Sequence, residues 1–323
     1  MHSLFHRLGR LALMALLAGL VSPLAARERS PFPTDILVET FGYGPGTPSN
    51  IDYDEIYQGC PVRDCIPALS APEYLAAGVA DFMRDDDLVL GIEINGDARA
   101  YPELIMNFHE IVNDTIGGVP VAVTFCPLCG SGVAFERRVA GETVEFGVSG
   151  LLHGSDLVMY DRKTNSLWQQ ITGEAVIGPQ RGVVLKTLPL AMVDWKTWRA
   201  AHPQSQVLSR NTGHARDYTR GPYGDYVASD KVMFPVENRD LALHPKTVVH
   251  GFTIDGQPLA VLDTALAGDE PVTAEFGGRR LTIRRTAGGG VVAGDPAGES
   301  WHGLRLFWFA WYNFHPDTTR LPE

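Results

Sequence analysis

Apolar residues alternate with polar ones along much of this chain, and the runs are short and end at Gly, Asn or Asp. LVLGIEINGDARAYP (residues 88–102) and VVHGFTIDGQPLAVL (248–262) each set an Asn-Gly or Asp-Gly pair between two alternating runs. That pattern predicts two hairpins with tight turns. VPVAVTF (119–125) and LTIRR (281–285) predict single strands, while AFERRVAGETVEFGVSG (134–150) and DLVMYDRKTNSLWQQ (156–170) predict strand, turn, strand. Helical spacing is rarer. APEYLAAGVADFM (71–83) follows Ser70, a plausible cap with Glu73 three residues on, and predicts a helix. PELIMNFHEIV (102–112) predicts a second, and MVDWKTWRAAHP (192–203), with Asp194 as cap and Pro203 as stop, a third. FWFAWYNF (307–314) is an aromatic run expected in a core, or around a ligand. SRNTGHARDYTRGPYGDYVASD (209–230) is polar, Gly-bearing and rich in tyrosine, and predicts a long ordered loop.

The two hairpin segments also align with each other. Gly91, Ile94 and Gly96 recur as Gly251, Ile254 and Gly256, an offset of 160 residues. At the same offset Gly117-Gly118 falls on Gly277-Gly278 and Val121 on Leu281. The expectation is a mostly β or α+β fold with short helices, built as two related β-rich units over residues 27–244 and 245–323.

The first 26 residues change the compartment. Arg7 and Arg10 precede an uncharged apolar stretch, 11–26, interrupted by Pro23 and ending on Ala25 and Ala26. A basic start, a short apolar run and small residues predict a secretory signal peptide at 1–26, with a periplasmic or extracellular mature protein. No later stretch has the length of a membrane span. The formal net charge of −11 argues against nucleic acid or anionic lipid as a partner. A small ligand or a metal donor is the expected partner class.

Export bears on the four cysteines, because exposed thiols tend to pair in an oxidising compartment. Cys60 and Cys65, in GCPVRDC, are expected to form a local disulfide. Cys126 and Cys129, in TFCPLCGSGVAF, follow a strand and precede small residues. A thioredoxin-type dithiol would open a helix, which Gly-Ser-Gly followed by a β-like run does poorly. Haem c attachment needs His after the second Cys, where Gly130 stands. A four-thiolate zinc site would have to recruit Cys60 and Cys65 across an unsuited spacing. A mixed thiolate and imidazole metal site remains open, and His109, His153 and His315 are the candidate partners. In the polar loop, Arg216, Asp217, Tyr218, Tyr223 and Tyr226, with His153, are candidates to line a ligand pocket. No nucleophile elbow, phosphate loop or dinucleotide fingerprint is found in the sequence.

Several segments occur in an order that resembles the bacterial and archaeal family DUF3179. They are HEIVND (109–114), GGVPVAVTFCPLCGSGVAF (117–135), VSGLLHGSDLVMYDR (148–162), SLWQQ (166–170), GEAVIGP (173–179), RDYTRGPYGDY (216–226) and FWFAWYNFHPDT (307–318). The resemblance covers roughly residues 50–318 and implies an exported protein with no established activity. It also implies that Cys126, Cys129, His109 and His315 belong to the family pattern, which selects these two histidines over the others. The family tends to have glycines where this chain reads RDCIPAL, so Cys60 and Cys65 look like additions of this chain and a structural disulfide. Thr286 and Gly289 stand opposite Cys126 and Cys129 in the second segment, so one unit alone carries thiols.

The leading expectation is therefore an exported protein that binds a metal ion or metal cofactor through Cys126, Cys129, His109 and His315. Copper is the first expectation for that donor set, with zinc or iron as alternatives. One alternative function is a thiol–disulfide redox protein using Cys126 and Cys129. The other is a non-catalytic periplasmic ligand-binding module in which those two cysteines form a structural disulfide. Whether the chain is an enzyme is left open.

Overall fold

The two sequence-legible hairpins organise the architecture. Asn95 and Gly96, at φ 53° and 83°, turn Leu88–Ile94 onto Asp97–Pro102 with Ile94 opposite Asp97. Asp255 and Gly256, at φ 50° and 79°, turn Val248–Ile254 onto Gln257–Leu262 with Ile254 opposite Gln257. Two consecutive left-handed residues are what a tight hairpin turn demands, and Asn-Gly and Asp-Gly supply them at least cost. The computed structural model describes residues 34–268 and 270–322; the expected signal peptide at 1–26 lies outside them. The chain is mostly β, with several sheets and a few short helices.

Each hairpin gains the same neighbours. Ala191–Asp194 pairs antiparallel with Leu88–Ile94, the helix Trp195–Ala201 follows, and Gln206–Leu208 returns parallel to Asp97–Pro102. Leu304–Phe307 pairs antiparallel with Val248–Ile254, the helix Trp308–Phe314 follows, and Thr319–Leu321 returns parallel to Gln257–Leu262. The helices lock onto the hairpins at one point each. A Cβ on Gly91 would lie 2.3 Å from the ring of Trp198, and one on Gly251 would lie 2.2 Å from the ring of Trp311. Only a residue without a side chain admits the indole there. His202 stacks on Trp198 and His315 packs tilted against Trp311, both with ring centres 4.0 Å apart.

Two further sheets carry the turns that matter. Ile111–Ile116, Val119–Cys126 and Ser131–Glu136 run as a meander that Thr187–Leu188 extends. Val272–Phe276, Arg279–Arg285, Val291–Gly294 and Ser300–His302 form the other. Between Glu136 and Thr187 the first path contains an excursion that the second lacks. It builds a five-stranded sheet from Phe146–His153, Asp156–Asp161, Leu167–Gln169 and Ala175–Ile177, with Ile56–Gln58 on its edge. The largest apolar cluster joins the thiol turn, this inserted sheet and the Trp308–Phe314 helix.

Three expectations change. The segment 71–83 contains no α-helix: Tyr74–Ala76 is a strand paired with Gln206–Leu208, followed by a 3-10 turn at Ala77–Val79. Pairing with a sheet edge overrides the propensity of its alanines. The segment 102–112 is helical only over Glu103–Met106, because Glu110 turns to φ 58° and Ile111 enters a strand. The helix expected over 192–203 begins at Trp195, with Asp194 accepting from the Thr197 amide as its cap, and Ala191–Asp194 is strand. The segment 209–230 is a loop, as expected, with a single 3-10 turn at Gly224–Tyr226.

The glycine–indole contacts make a paired prediction. Gly91→Ala and Gly251→Ala should each destabilise the fold by about 3 kcal/mol, the upper range of ordinary overpacking, read as a lower denaturant midpoint. A change within error in both would mean that the helices do not depend on these contacts.

Candidate functional site

Cys126 ends the strand Val119–Cys126 and pairs with Ser131, so the residues between them form a tight turn, closed by the Cys129 amide donating to Cys126 O at 3.2 Å. The turn is fixed from outside. The Phe307 amide donates to Cys129 O at 2.8 Å, and the Phe307 ring lies 2.7 Å from where a Cβ on Gly130 would stand. Gln170 ties it to its own strands, accepting from Ser131 Oγ at 2.9 Å and donating to Thr124 Oγ1 at 3.0 Å. Both thiols are free and buried.

The inserted sheet brings a third group. Asp156 opens the strand Asp156–Asp161 directly after Ser155, which sits at φ 62°. Cys129 Sγ donates to Ser155 O at 3.3 Å. Among the described residues, ligand atoms of Cys126, Cys129 and Asp156 lie within 4.8 Å of one another, all buried. Asp156 Oδ2 accepts from Gln169 Nε2 at 2.6 Å and from the Ile171 amide at 3.1 Å. Asp156 Oδ1 is buried with no N–H or O–H donor among the described residues. Gln169 Oε1 in turn accepts from His153 Nδ1 at 2.7 Å, and His153 Nε2 faces Glu55 at 3.5 Å.

Burial dominates the electrostatics. It pushes the Cys126 thiol up and the Cys129 thiol well above its ordinary range. It also raises the Asp156 carboxyl to about 6, although hydrogen bonding from Gln169 and the Ile171 amide, and then from the two neighbouring thiols, pulls the other way. Glu110, buried one residue before the strand that pairs with the thiol strand, is raised to about 8 by burial and then by the charge of Asp156. At neutral pH and without a cation, the two thiols and Glu110 hold their protons, whereas Asp156 is mostly ionised.

The four-residue metal set expected from sequence is not assembled. Cys126 and Cys129 meet, but neither His109 nor His315 is in the cluster, and Asp156 takes the third place. His109 spends both ring nitrogens elsewhere: Nδ1 donates to Pro67 O at 2.8 Å, so Nε2 accepts from Tyr218 Oη at 2.5 Å. His315 packs against Trp311 at the end of its helix, as His202 does against Trp198. The expected ligand-pocket residues also separate. Arg216 and Asp217 are exposed, and Asp217 is satisfied by Thr219 and Arg220. Tyr218 is the partner of His109, Tyr226 Oη donates to Leu128 O at 3.1 Å, and Tyr223 lines a cavity beside Cys126. His153 reaches the centre through Gln169. Cys60 and Cys65 form a disulfide, as expected.

Asp156, Glu110 and Gln169 were missed by sequence reasoning. Their signals lay in HGSD, in the Glu beside His109 and in the paired glutamines of SLWQQ. A family model described as "Protein of unknown function (DUF3179)" matches residues 63–299, a stretch that contains all of the buried cluster and stops short of His315. No curated protein matches, and no solved structure does.

Buried, neutral His109 makes the fold sensitive to acid. Its pKa is lowered from 6.5 to about 4, mainly by burial. The unfolded chain takes up a proton below pH 6.5 that the folded chain refuses, so stability falls as pH drops from about 6.5 towards 4. Within that window the loss is up to about 1.4 kcal/mol per pH unit. The variant His109→Gln, which can still bond Pro67 and Tyr218, should lack this component in denaturation curves compared between pH 7 and pH 4.5. An unchanged difference would remove His109 as its source.

Proposed function

Since the chain belongs to the DUF3179 family, whose description assigns no activity, we propose on physical grounds that it holds a transition-metal ion between Cys126, Cys129 and Asp156. The observation that carries this reading is the buried cluster of two thiols and the Asp156 carboxyl, whose Oδ1 has no N–H or O–H donor among the described residues. A buried carboxylate oxygen left without such a donor is costly. A cation between it and two thiolates removes that cost and also explains why groups with raised pKa values are gathered together. The metal displaces the thiol protons on binding, so occupancy depends on pH.

The donor set favours one kind of ion. Two thiolates with a carboxylate suit zinc or ferrous iron, with zinc bonds near 2.3 Å to sulfur and 2.0–2.2 Å to oxygen. Copper(I), the first expectation while imidazole stood in the set, prefers softer partners than a carboxylate. Gln169 and the Ile171 amide hold Oδ2 and so fix the carboxylate beside the sulfurs, the orienting role that outer residues play at metal sites. Cys126 also faces a cavity, so the centre has an open side, as sites that exchange ligands or catalyse do.

The Cys60–Cys65 disulfide, with no described helix long and apolar enough to cross a membrane, agrees with export through the N-terminal segment. On this reading the division near residue 245 separates two related units, of which the first carries the thiols and the second buttresses them through Phe307.

Elemental analysis of untagged protein should find about one equivalent of metal. Cys126→Ser should lose it, and Gln169→Leu should weaken binding about 10- to 100-fold, as outer residues of metal sites do. His109→Gln and His315→Gln should keep it. Metal-free protein with a Cys126–Cys129 disulfide that reduces reversibly would transfer the site to thiol–disulfide chemistry. Stoichiometric metal retained in Cys126→Ser would end the assignment.

A further inference from the structure

The cavity beside Cys126 has two unlike ends. Its volume is about 140 Å³. Its wall is mainly apolar and includes Ile66, Leu128, Leu152, Leu157 and Met233, with Tyr223 from the long loop. Glu110 and Cys126 are its polar end. Glu110 is held there at some conformational cost: it is a non-glycine residue at φ 58°. Its amide donates to Met106 O and its carbonyl accepts from the Phe125 amide, both at 2.7 Å. Its side chain is buried and lines the cavity beside Cys126 and Tyr223. A buried carboxyl lining a mostly apolar pocket offers a ligand one polar anchor.

We propose that this cavity binds a small organic molecule of about six non-hydrogen atoms, apolar along its body, with one polar head that hydrogen-bonds Glu110 beside the thiol centre. The size follows from packing, since an apolar cavity of about 150 Å³ accommodates one benzene. A carbonyl, amide or hydroxyl head satisfies Glu110, whereas a phosphate or dicarboxylate would face a carboxyl and a lipophilic wall. The inference deepens the metal assignment by naming what occupies the open side of that centre, and it rests on that assignment for the reacting partner but not for binding.

Isobutyramide is a suitable probe, because its amide offers a donor and an acceptor to Glu110 whichever way the proton sits. Its hydrocarbon counterpart, 2,3-dimethylbutane, has the shape without the head. Ligand-observed NMR on the full chain, as purified and after chelator treatment, should show isobutyramide bound in both forms. Glu110→Leu should weaken isobutyramide about tenfold, the equivalent of about 1.4 kcal/mol for one lost hydrogen bond, and should strengthen the hydrocarbon. Glu110→Gln should retain the amide, and Leu152→Phe, which narrows the cavity, should exclude both probes. No binding by the wild type, or affinities unmoved by Leu152→Phe and Glu110→Leu, would overturn the proposal. Should Glu110→Leu fail to fold, Leu152→Phe carries the same decision. Binding in a protein found to contain no metal would sustain the cavity and discard the metal; metal without probe binding would do the reverse.

Discussion

One carboxylate oxygen constrains this molecule more than any other atom described. Asp156 Oδ1 is buried with no N–H or O–H donor among the described residues, while its sister oxygen accepts two hydrogen bonds, from Gln169 and the Ile171 amide. Those bonds raise the cost of turning the carboxylate away from the sulfurs it lies beside. The inserted sheet supplies Asp156, Gln169 and His153 from adjacent strands and fixes their spacing by its register. The thiol turn is held just as firmly from the opposite side, by the amide and ring of Phe307. A centre fixed from both sides keeps its geometry whether or not an ion is bound, which is what a site on rigid elements achieves.

The buttressing is reciprocal. The turn after Val119–Cys126 packs on Phe307, next to the helix Trp308–Phe314. The turn after Arg279–Arg285 packs on Val193, next to the helix Trp195–Ala201, where a Cβ on Gly289 would lie 2.3 Å from the valine side chain. Each turn thus leans on the strand that leads into the other tryptophan helix. Loosening either helix disturbs the turn it supports, so packing far from the thiols is coupled to them through only a few contacts.

Much of this was legible where the cause was local. The hairpins could be read because Asn95-Gly96 and Asp255-Gly256 adopt the conformations their residue types favour. The Cys60–Cys65 disulfide closes a short loop and needs no tertiary knowledge. The helix expected at 71–83 failed because a distant strand, Gln206–Leu208, competes for its backbone. Asp156 was invisible for a similar reason, since its nearness to Cys126 is created by an excursion some 30 residues away in sequence and says nothing in composition. His315 lies outside the buried cluster, and its surroundings in the chain are repeated elsewhere. Trp195, Trp198, His202 and Pro203 share their spacing with Trp308, Trp311, His315 and Pro316, so the histidine belongs to a packing motif that occurs twice.

The thiol turn and its opposite number are built alike yet equipped differently. Residues 126–130 carry sulfur and face the inserted sheet, while residues 286–290 carry Thr286, Ala287 and glycines and lack such a sheet. The scaffold therefore tolerates both a furnished and a bare turn at equivalent places. The two turns differ in this chain by one longer connection, from Glu136 to Thr187, which carries the inserted sheet. The bare turn serves as an internal reference state: what it shares with its counterpart belongs to folding, and what it lacks belongs to the chemistry. A single polypeptide thus contains both the experiment and its control.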